Sequence, residues 1–126
     1  HCGWRIAPRI CYDLRFPVWL RNRDDYDLTI FVANWPSKRQ IAWSTLLRAR
    51  AIENISYSCG VNVTGVDGAG VEYAGGSSIF DPLGEPVAEY FEDRVVATHT
   101  LSGALLVETR SNFPANLDND KFSIEY

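Results

Sequence analysis

Arg9-Ile10-Cys11-Tyr12-Asp13-Leu14-Arg15-Phe16-Pro17 is the stretch on which the reading of this chain turns. An apolar approach of Ile6, Ala7, Pro8 and Ile10 leads into it, and Pro17-Val18-Trp19-Leu20-Arg21 leads away. The approach predicts a strand over residues 3–10 with Trp4, Ile6 and Ile10 on one face. The exit predicts a short helix over 17–23, because proline suits a first helical turn, where its missing N–H is not needed. A cysteine at such a junction has its sulfur near unpaired backbone N–H groups and the positive end of a helix. Both favour the thiolate, which is the nucleophilic form. Cys11 is therefore a candidate nucleophile. The competing reading is a small buried apolar residue, as most free cysteines are.

Residues 28–33 form a compact apolar run rich in β-branched side chains, the pattern of a strand covered on both faces. Asn34-Trp35-Pro36-Ser37 breaks it. Ser37 is placed as an N-cap, with Gln40 three residues on as in a capping box. From 38 to 54 the positions Ile41, Ala42, Thr45, Leu46, Ala49 and Ile52 recur at helical spacing, which predicts a long helix. Residues 55–66 alternate and predict a strand. Asp67-Gly68-Ala69-Gly70 reads as a loop by its glycines. Residues 75–80 lead into a strand, and Asp81-Pro82-Leu83-Gly84 reads as a turn. Residues 86–91 and 95–100 predict the remaining strands of a meander. Residues 101–112 fit either a strand or a helix, because Gly103 and the Leu105-Leu106-Val107 run weaken the helical pattern. The tail from 114 to 126 has few core residues and is expected to pack across a partner surface. Strands around one long helix, then a meander, imply a layered α/β or α+β fold.

The chain has 126 residues, 46% hydrophobic and 22% charged, which is a globular composition and the size of one domain or part of one. A net charge of −4 argues against nucleic acid or an anionic membrane as partner. No apolar run is long enough to span a bilayer. The three cysteines, Cys2, Cys11 and Cys59, are odd in number and loosely spaced, so no disulfide framework is expected. A reducing cytoplasm is the expected setting. His1-Cys2 and His99 have no zinc-site spacing, so no metal is expected.

Cys11-Tyr12-Asp13-Leu14-Arg15-Phe16-Pro17 resembles the nucleophile segment of the nitrilase superfamily, the carbon–nitrogen hydrolases. Asp27-Leu28-Thr29-Ile30-Phe31-Val32-Ala33-Asn34-Trp35-Pro36, Arg48-Ala49-Arg50-Ala51-Ile52-Glu53-Asn54, Phe80-Asp81-Pro82-Leu83-Gly84-Glu85 and Phe113-Pro114-Ala115 extend the likeness, in order, over nearly the whole chain. The Arg-Phe-Pro-Val-Trp and Val-Ala-Asn-Trp-Pro wording is most similar to the omega-amidase branch. The resemblance implies an α-β-β-α sandwich and a helix over 101–112. On it, residues 1–126 would be the carboxy-terminal half of the domain, with the amino-terminal half absent.

The resemblance also implies a chemistry. Family members hydrolyse amides or nitriles with a Glu-Lys-Cys triad, without a cofactor and through an acyl-thioester. Here Cys11 matches the nucleophile, and the backbone N–H of Tyr12 matches an oxyanion donor. The family's Glu and Lys lie upstream of the cysteine. None of the ten residues before Cys11 is Glu or Lys, and the two lysines, Lys38 and Lys121, match neither position. Arg15, Asn34 and Trp35 are expected to shape the substrate pocket. The competing readings are an ion pair of Arg15 with Asp13 or Glu53 and a core role for Trp35. Arg50 and Glu53 are expected to be structural, buried and paired. The expected partners are a small amide such as 2-oxoglutaramate, the missing half of the domain, and a second copy in a homodimer. The alternative is a non-catalytic relative acting as a structural or interaction domain. A third reading, a Cys–His hydrolase, requires His99 within hydrogen-bond reach of Cys11.

Overall fold

The computed structural model describes residues 1–91, 96–120 and 122–123. In chain order its elements are β1 (Ile6–Ile10), α1 (Pro17–Leu20), β2 (Leu28–Ala33), α2 (Gln40–Asn54), β3 (Tyr57–Asn62), β4 (Thr64–Val66), β5 (Glu72–Ala74), β6 (Ser77–Phe80), β7 (Pro86–Tyr90) and α3 (Gly103–Asn112). Short 3-10 helices occupy Cys11–Arg15, Ser37–Arg39 and Ala115–Asp118. The five-stranded sheet runs β1-β2-β3-β6-β7, with β1, β2 and β3 parallel and the rest antiparallel. Parallel neighbours need crossover connections. The turn after Cys11 together with α1 makes the first, and α2 makes the second. The fold is mixed α/β, as the sequence predicts.

One face of the sheet carries Phe31 and Phe80 against Trp43, Leu47 and Ala51 of α2. Gly60 lets the helix approach, since a Cβ there would lie 2.4 Å from Leu47 Cδ1 and 2.6 Å from Trp43 Cζ2. Among the described residues the opposite face is covered toward the strands' amino ends, where α3 places Leu106 against Leu28 and Tyr57. Toward the carboxyl ends Ile10, Val32 and Val61 remain exposed, Val32 at 51%. The expectation that β2 is covered on both faces thus holds for part of its length. An apolar run shows that a face seeks cover, not which segment supplies it.

The long helix forms as predicted, but the apolar positions that mark its period are not its buried stripe. Ile41 is 83% exposed and Ile52 is also exposed, whereas Trp43, Leu47, Arg50, Ala51 and Asn54 are buried. The buried stripe carries an arginine and an asparagine, so counting apolar residues selects its neighbour instead. Both polar groups are satisfied, as buried polar groups must be. Arg50 Nε and Nη2 donate to the Leu14 carbonyl at 3.1 and 2.7 Å, and Nη1 meets Glu53 at 2.8 Å. Asn54 Oδ1 accepts the Asn22 N–H at 2.8 Å. Arg50 and Glu53 are paired as expected, although only Arg50 is buried.

Other boundaries shift for local reasons. Ser37 makes no side-chain cap and opens a 3-10 turn; Gln40, the expected capping-box partner, donates instead to the Gly75 carbonyl at 3.5 Å. The single strand predicted over 55–66 is two strands in different sheets, and β5, unpredicted, pairs with β4 in a separate hairpin. The strand predicted over 95–100 is not formed at 96–100, and Val95 lies outside the described residues. Residues 101–112 resolve as α3, with Ser102 Oγ accepting the Leu105 N–H at 3.1 Å as an N-cap. Gly103 sits at the helix start, where its low interior propensity matters little. The tail folds back on its own chain, with Arg23 5.5 Å over the Phe122 ring and Arg21 bonded to Asn119. Lys121 and residues 124–126 lie outside the described residues. Among the described residues no helix is long and apolar enough to cross a membrane.

Asp27 ties the edge of the sheet to α3. It accepts Arg5 Nη2 at 2.8 Å and Arg110 Nη1 at 2.7 Å, and Arg5 also donates through Nε and its backbone N–H. Arg5, chiefly, holds this carboxyl well below the usual carboxylate range. The folded pKa is depressed, so the stabilisation is present above the unfolded value of about 4 and is lost as pH falls through it toward the folded value. Asp27→Asn should therefore lower stability at neutral pH and flatten its decline below about pH 4. Urea unfolding measured from neutral to acid pH checks this; parallel curves for both proteins would refute it.

Candidate active site

Because β1, β2 and β3 are parallel, their carboxyl ends lie together, the place where sites gather in open α/β sheets. Ile10 stands beside Val32, Val32 beside Val61, and Ala33 beside Asn62. Cys11 follows directly on Ile10, the last residue of β1. There the chain turns sharply. Cys11 has φ 37°, in the left-handed region that non-glycine residues rarely enter, and it opens the 3-10 helix Cys11–Arg15. Such strain persists only where the surroundings over-determine it.

The surroundings here do. Asp13 Oδ2 accepts the Ile10 N–H at 2.9 Å and closes the turn from the front. Leu14 is 0% exposed, and its carbonyl is gripped by Arg50 from behind. Pro17 then starts α1. Cys11 is half-buried against a cluster that contains Leu14, Phe31, Trp35 and Trp43. The strand thus ends at Ile10, and Cys11 is already the first residue of the short helix that Tyr12 and Asp13 continue, a strand-to-helix junction as the sequence predicts with the strand ending one residue earlier. The N–H of Tyr12 precedes the first internal bond of a 3-10 helix and has no partner within it.

Arg15 makes neither ion pair of the competing reading, since Asp13 serves the Ile10 N–H and Glu53 pairs with Arg50. Its guanidinium lies 4.9 Å from the centroid of Trp35 and 5.9 Å from that of Tyr12, a stacked cation. Arg15, Lys38 and Arg39 line one shallow depression of about 490 Å³ with Ile41, Ala42, Thr45 and Leu46. Trp35 is buried, its Nε1 donates to the Arg39 carbonyl at 2.8 Å, and its ring leans on Trp43 at 5.4 Å. It backs Arg15 and is not an open wall. Asn34, the residue before it, is exposed. The residue that sequence reasoning missed is Asn62, whose side chain bonds both backbone groups of Trp35. Its only advance signal is a polar residue ending a strand next to that of Asn34.

His99 is not a partner of Cys11. Its Nε2 is hydrogen-bonded to the Tyr90 hydroxyl, and it lines a cavity of about 310 Å³ with Cys59, on the sheet face away from α2. The Cys–His reading is therefore set aside. Burial pushes the Cys59 thiol up to about 11, which keeps it protonated near neutral pH. Limiting iodoacetamide, followed by mass mapping, should label Cys11 ahead of Cys59 and Cys2. Preferential labelling of Cys59 would contradict the assignment of the nucleophilic thiol.

Residues 2–111 match the carbon-nitrogen hydrolase family. The chain belongs to that family. It is 51% identical over 125 residues, 97% of its length, to omega-amidase YafV of Escherichia coli strain K12, covering 48% of that protein. It is 43% identical over 106 residues to 2-oxoglutaramate amidase of Paenarthrobacter nicotinovorans, covering 82% of this chain and 36% of the relative. The crystal structure of XC1258 from Xanthomonas campestris, a CN-hydrolase superfamily protein with an arsenic adduct in its active site, superposes with a TM-score of 0.94 at 54% identity. That match covers 98% of this chain and 49% of the other. A mutant amidase from Nesterenkonia sp. AN1 aligns with a TM-score of 0.60 at 28% identity, over 71% of this chain and 34% of that one. In that protein the acetamide moiety of fluoroacetamide is added covalently at the active-site cysteine. This carbon–nitrogen hydrolase chain spans about half the length of the curated relatives it matches.

Proposed function

We propose that the protein carrying this chain is an amidase that hydrolyses a small carboxylate-bearing monoamide, of the 2-oxoglutaramate kind, through an acyl-thioester. The carrying observation is Cys11 held at φ 37° where β1 passes into a 3-10 helix. Its thiolate attacks the amide carbon, and the N–H of Tyr12 donates to the oxyanion that develops. The intermediate collapses, the C–N bond breaks, and ammonia leaves after taking a proton. Water then adds to the thioester carbon, the acid departs and the thiol is restored.

The base and the lysine of this chemistry are supplied by residues outside these 126. Among the described residues, Glu53 is engaged by Arg50, and Lys38 lines the depression with Arg15 and Arg39, to which Cys11 does not contribute. The exposed Ile10, Val32 and Val61 support a further layer of the same domain over that face, the amino-terminal half expected from the resemblance. The cations Arg15, Lys38 and Arg39 support an anionic substrate, with Trp35 behind Arg15 and the exposed Asn34 next to Trp35 in the chain. The names of the relatives, omega-amidase and 2-oxoglutaramate amidase, support the same class. Exposed Phe16, Val18 and Trp19 around α1 support a homodimer. Free thiols support a reducing, cytoplasmic setting.

Ammonia release from a panel of short amides, with and without a distal carboxylate, tests the proposal. The carboxylate-bearing amides should be turned over with the higher kcat/KM. Preference for uncharged amides would remove the substrate class, and no release from any would leave a structural or interaction domain.

A further inference from the structure

Asn62 ends β3, one strand beyond Ala33 and two strands from Cys11. Adjacent strands lie about 4.8 Å apart, which puts it about 10 Å from the nucleophile, too far to touch a reacting bond. It is 7% exposed, and every polar atom of its amide is used. Oδ1 accepts the Trp35 N–H at 2.7 Å; Nδ2 donates to the Trp35 carbonyl at 3.0 Å and to the Gly75 carbonyl at 2.7 Å. These partners dictate the orientation of the amide, because the flipped form would set its oxygen against two carbonyls. Its backbone is also anchored, the N–H donating to Ser77 Oγ at 3.0 Å.

Two loops at the carboxyl ends of the strands therefore meet on one side chain. One carries Trp35, on whose ring Arg15 is stacked. The other is Gly75-Gly76, with φ +66° and +71°, where a Cβ on Gly76 would lie 2.0 Å from Gln40 Nε2. The Gly76 carbonyl accepts Trp43 Nε1 at 2.7 Å, which carries the same clamp into the core. We infer that Asn62 is a positioning residue: it fixes Trp35, and through it the Arg15 cation, relative to Cys11, and so sets the preference for an anionic acyl group. The inference deepens the amidase reading and rests on it for the identity of the substrate.

Asn62→Asp and Asn62→Ser separate positioning from mere support. The aspartate keeps the acceptor but turns a carboxylate oxygen on two carbonyls; the serine is too short to span the loops. In the protein carrying this chain, kcat/KM is measured for a carboxylate-bearing amide and an uncharged amide of similar size. The rates at which iodoacetate and iodoacetamide alkylate Cys11 are measured as well, since their ratio reads the Arg15 cation without turnover. Sub-ångström control of approach is worth up to about a hundredfold, so the ratio of the two kcat/KM values should fall by about tenfold, mainly through KM of the anionic amide. The iodoacetate-to-iodoacetamide ratio should fall in parallel. Equal losses on both amides with an unchanged alkylation ratio would overturn the inference, as would failure of both variants to fold. If the unmodified protein hydrolyses neither amide, the functional reading falls, and the alkylation ratio alone still decides the role of Asn62.

Discussion

Replacing Cys11 by serine should reduce kcat/KM for amide hydrolysis by about 10⁴-fold or more, with the urea midpoint nearly unchanged. The swap is close to isosteric, so the packing against Leu14, Phe31 and Trp35 survives. What changes is the nucleophile. A thiol ionises near 8.5, whereas an aliphatic hydroxyl does not ionise at any pH the fold tolerates. A site that forms an acyl-enzyme loses almost all of its rate when the attacking atom is no longer activated. The backbone strain at φ 37° is borne equally by either residue, so stability does not confound the measurement. Steady-state ammonia release paired with urea unfolding checks both halves. Turnover at the original level would show that the nucleophile lies elsewhere.

Trp43→Ala should cost about 4 kcal/mol of folding stability, in the range for truncating a buried aromatic ring. The indole is 0% exposed and packs on Trp35 and under Gly60, so its removal leaves a cavity between α2 and the sheet. The Gly76 carbonyl also loses its donor at 2.7 Å. Against a total stability of about 5–15 kcal/mol, such a loss leaves a marginal fold. Trp43→Phe keeps most of the packing and loses chiefly the hydrogen bond, so its cost should be about 1–2 kcal/mol. Urea denaturation measures both. A Trp43→Ala loss below about 1 kcal/mol would mean that α2 is not held by this ring. The same ring backs Trp35, so catalytic loss in this variant should accompany destabilisation, whereas the Cys11→Ser loss should not.

Local patterns were legible where one stretch of chain decides its own structure. The bounds of β2 follow from its apolar run, and the turn at 81–84 from its Pro and Gly, with the Gly84 N–H donating to the Asp81 carbonyl at 2.9 Å. The strand-to-helix junction at Cys11 was readable for the same reason: Pro17 starts α1, and the residues before it alternate. The buried stripe of α2 was not legible from its apolar spacing: the burial of Arg50 was implied only by the family resemblance, and its partner, the Leu14 carbonyl, belongs to a turn 36 residues earlier. Charge is a poor guide to burial when its partner is distant in sequence.

Residue order alone was enough for the junction that presents Cys11, the layering of strands about a long helix, and the family to which the chain belongs. These depend on residue order within short windows, and on motifs whose order is itself informative. Three-dimensional packing was needed to show that Arg15 stacks on Trp35 and pairs with neither Asp13 nor Glu53, that His99 turns to Tyr90, and that Asn62 joins the loops at 34–35 and 75–76. Each of these is a choice among several chemically suitable partners. Hydrogen bonds and cation–π contacts reach only a few ångströms, so the choice is made by which groups the sheet register and the helix crossing bring within reach.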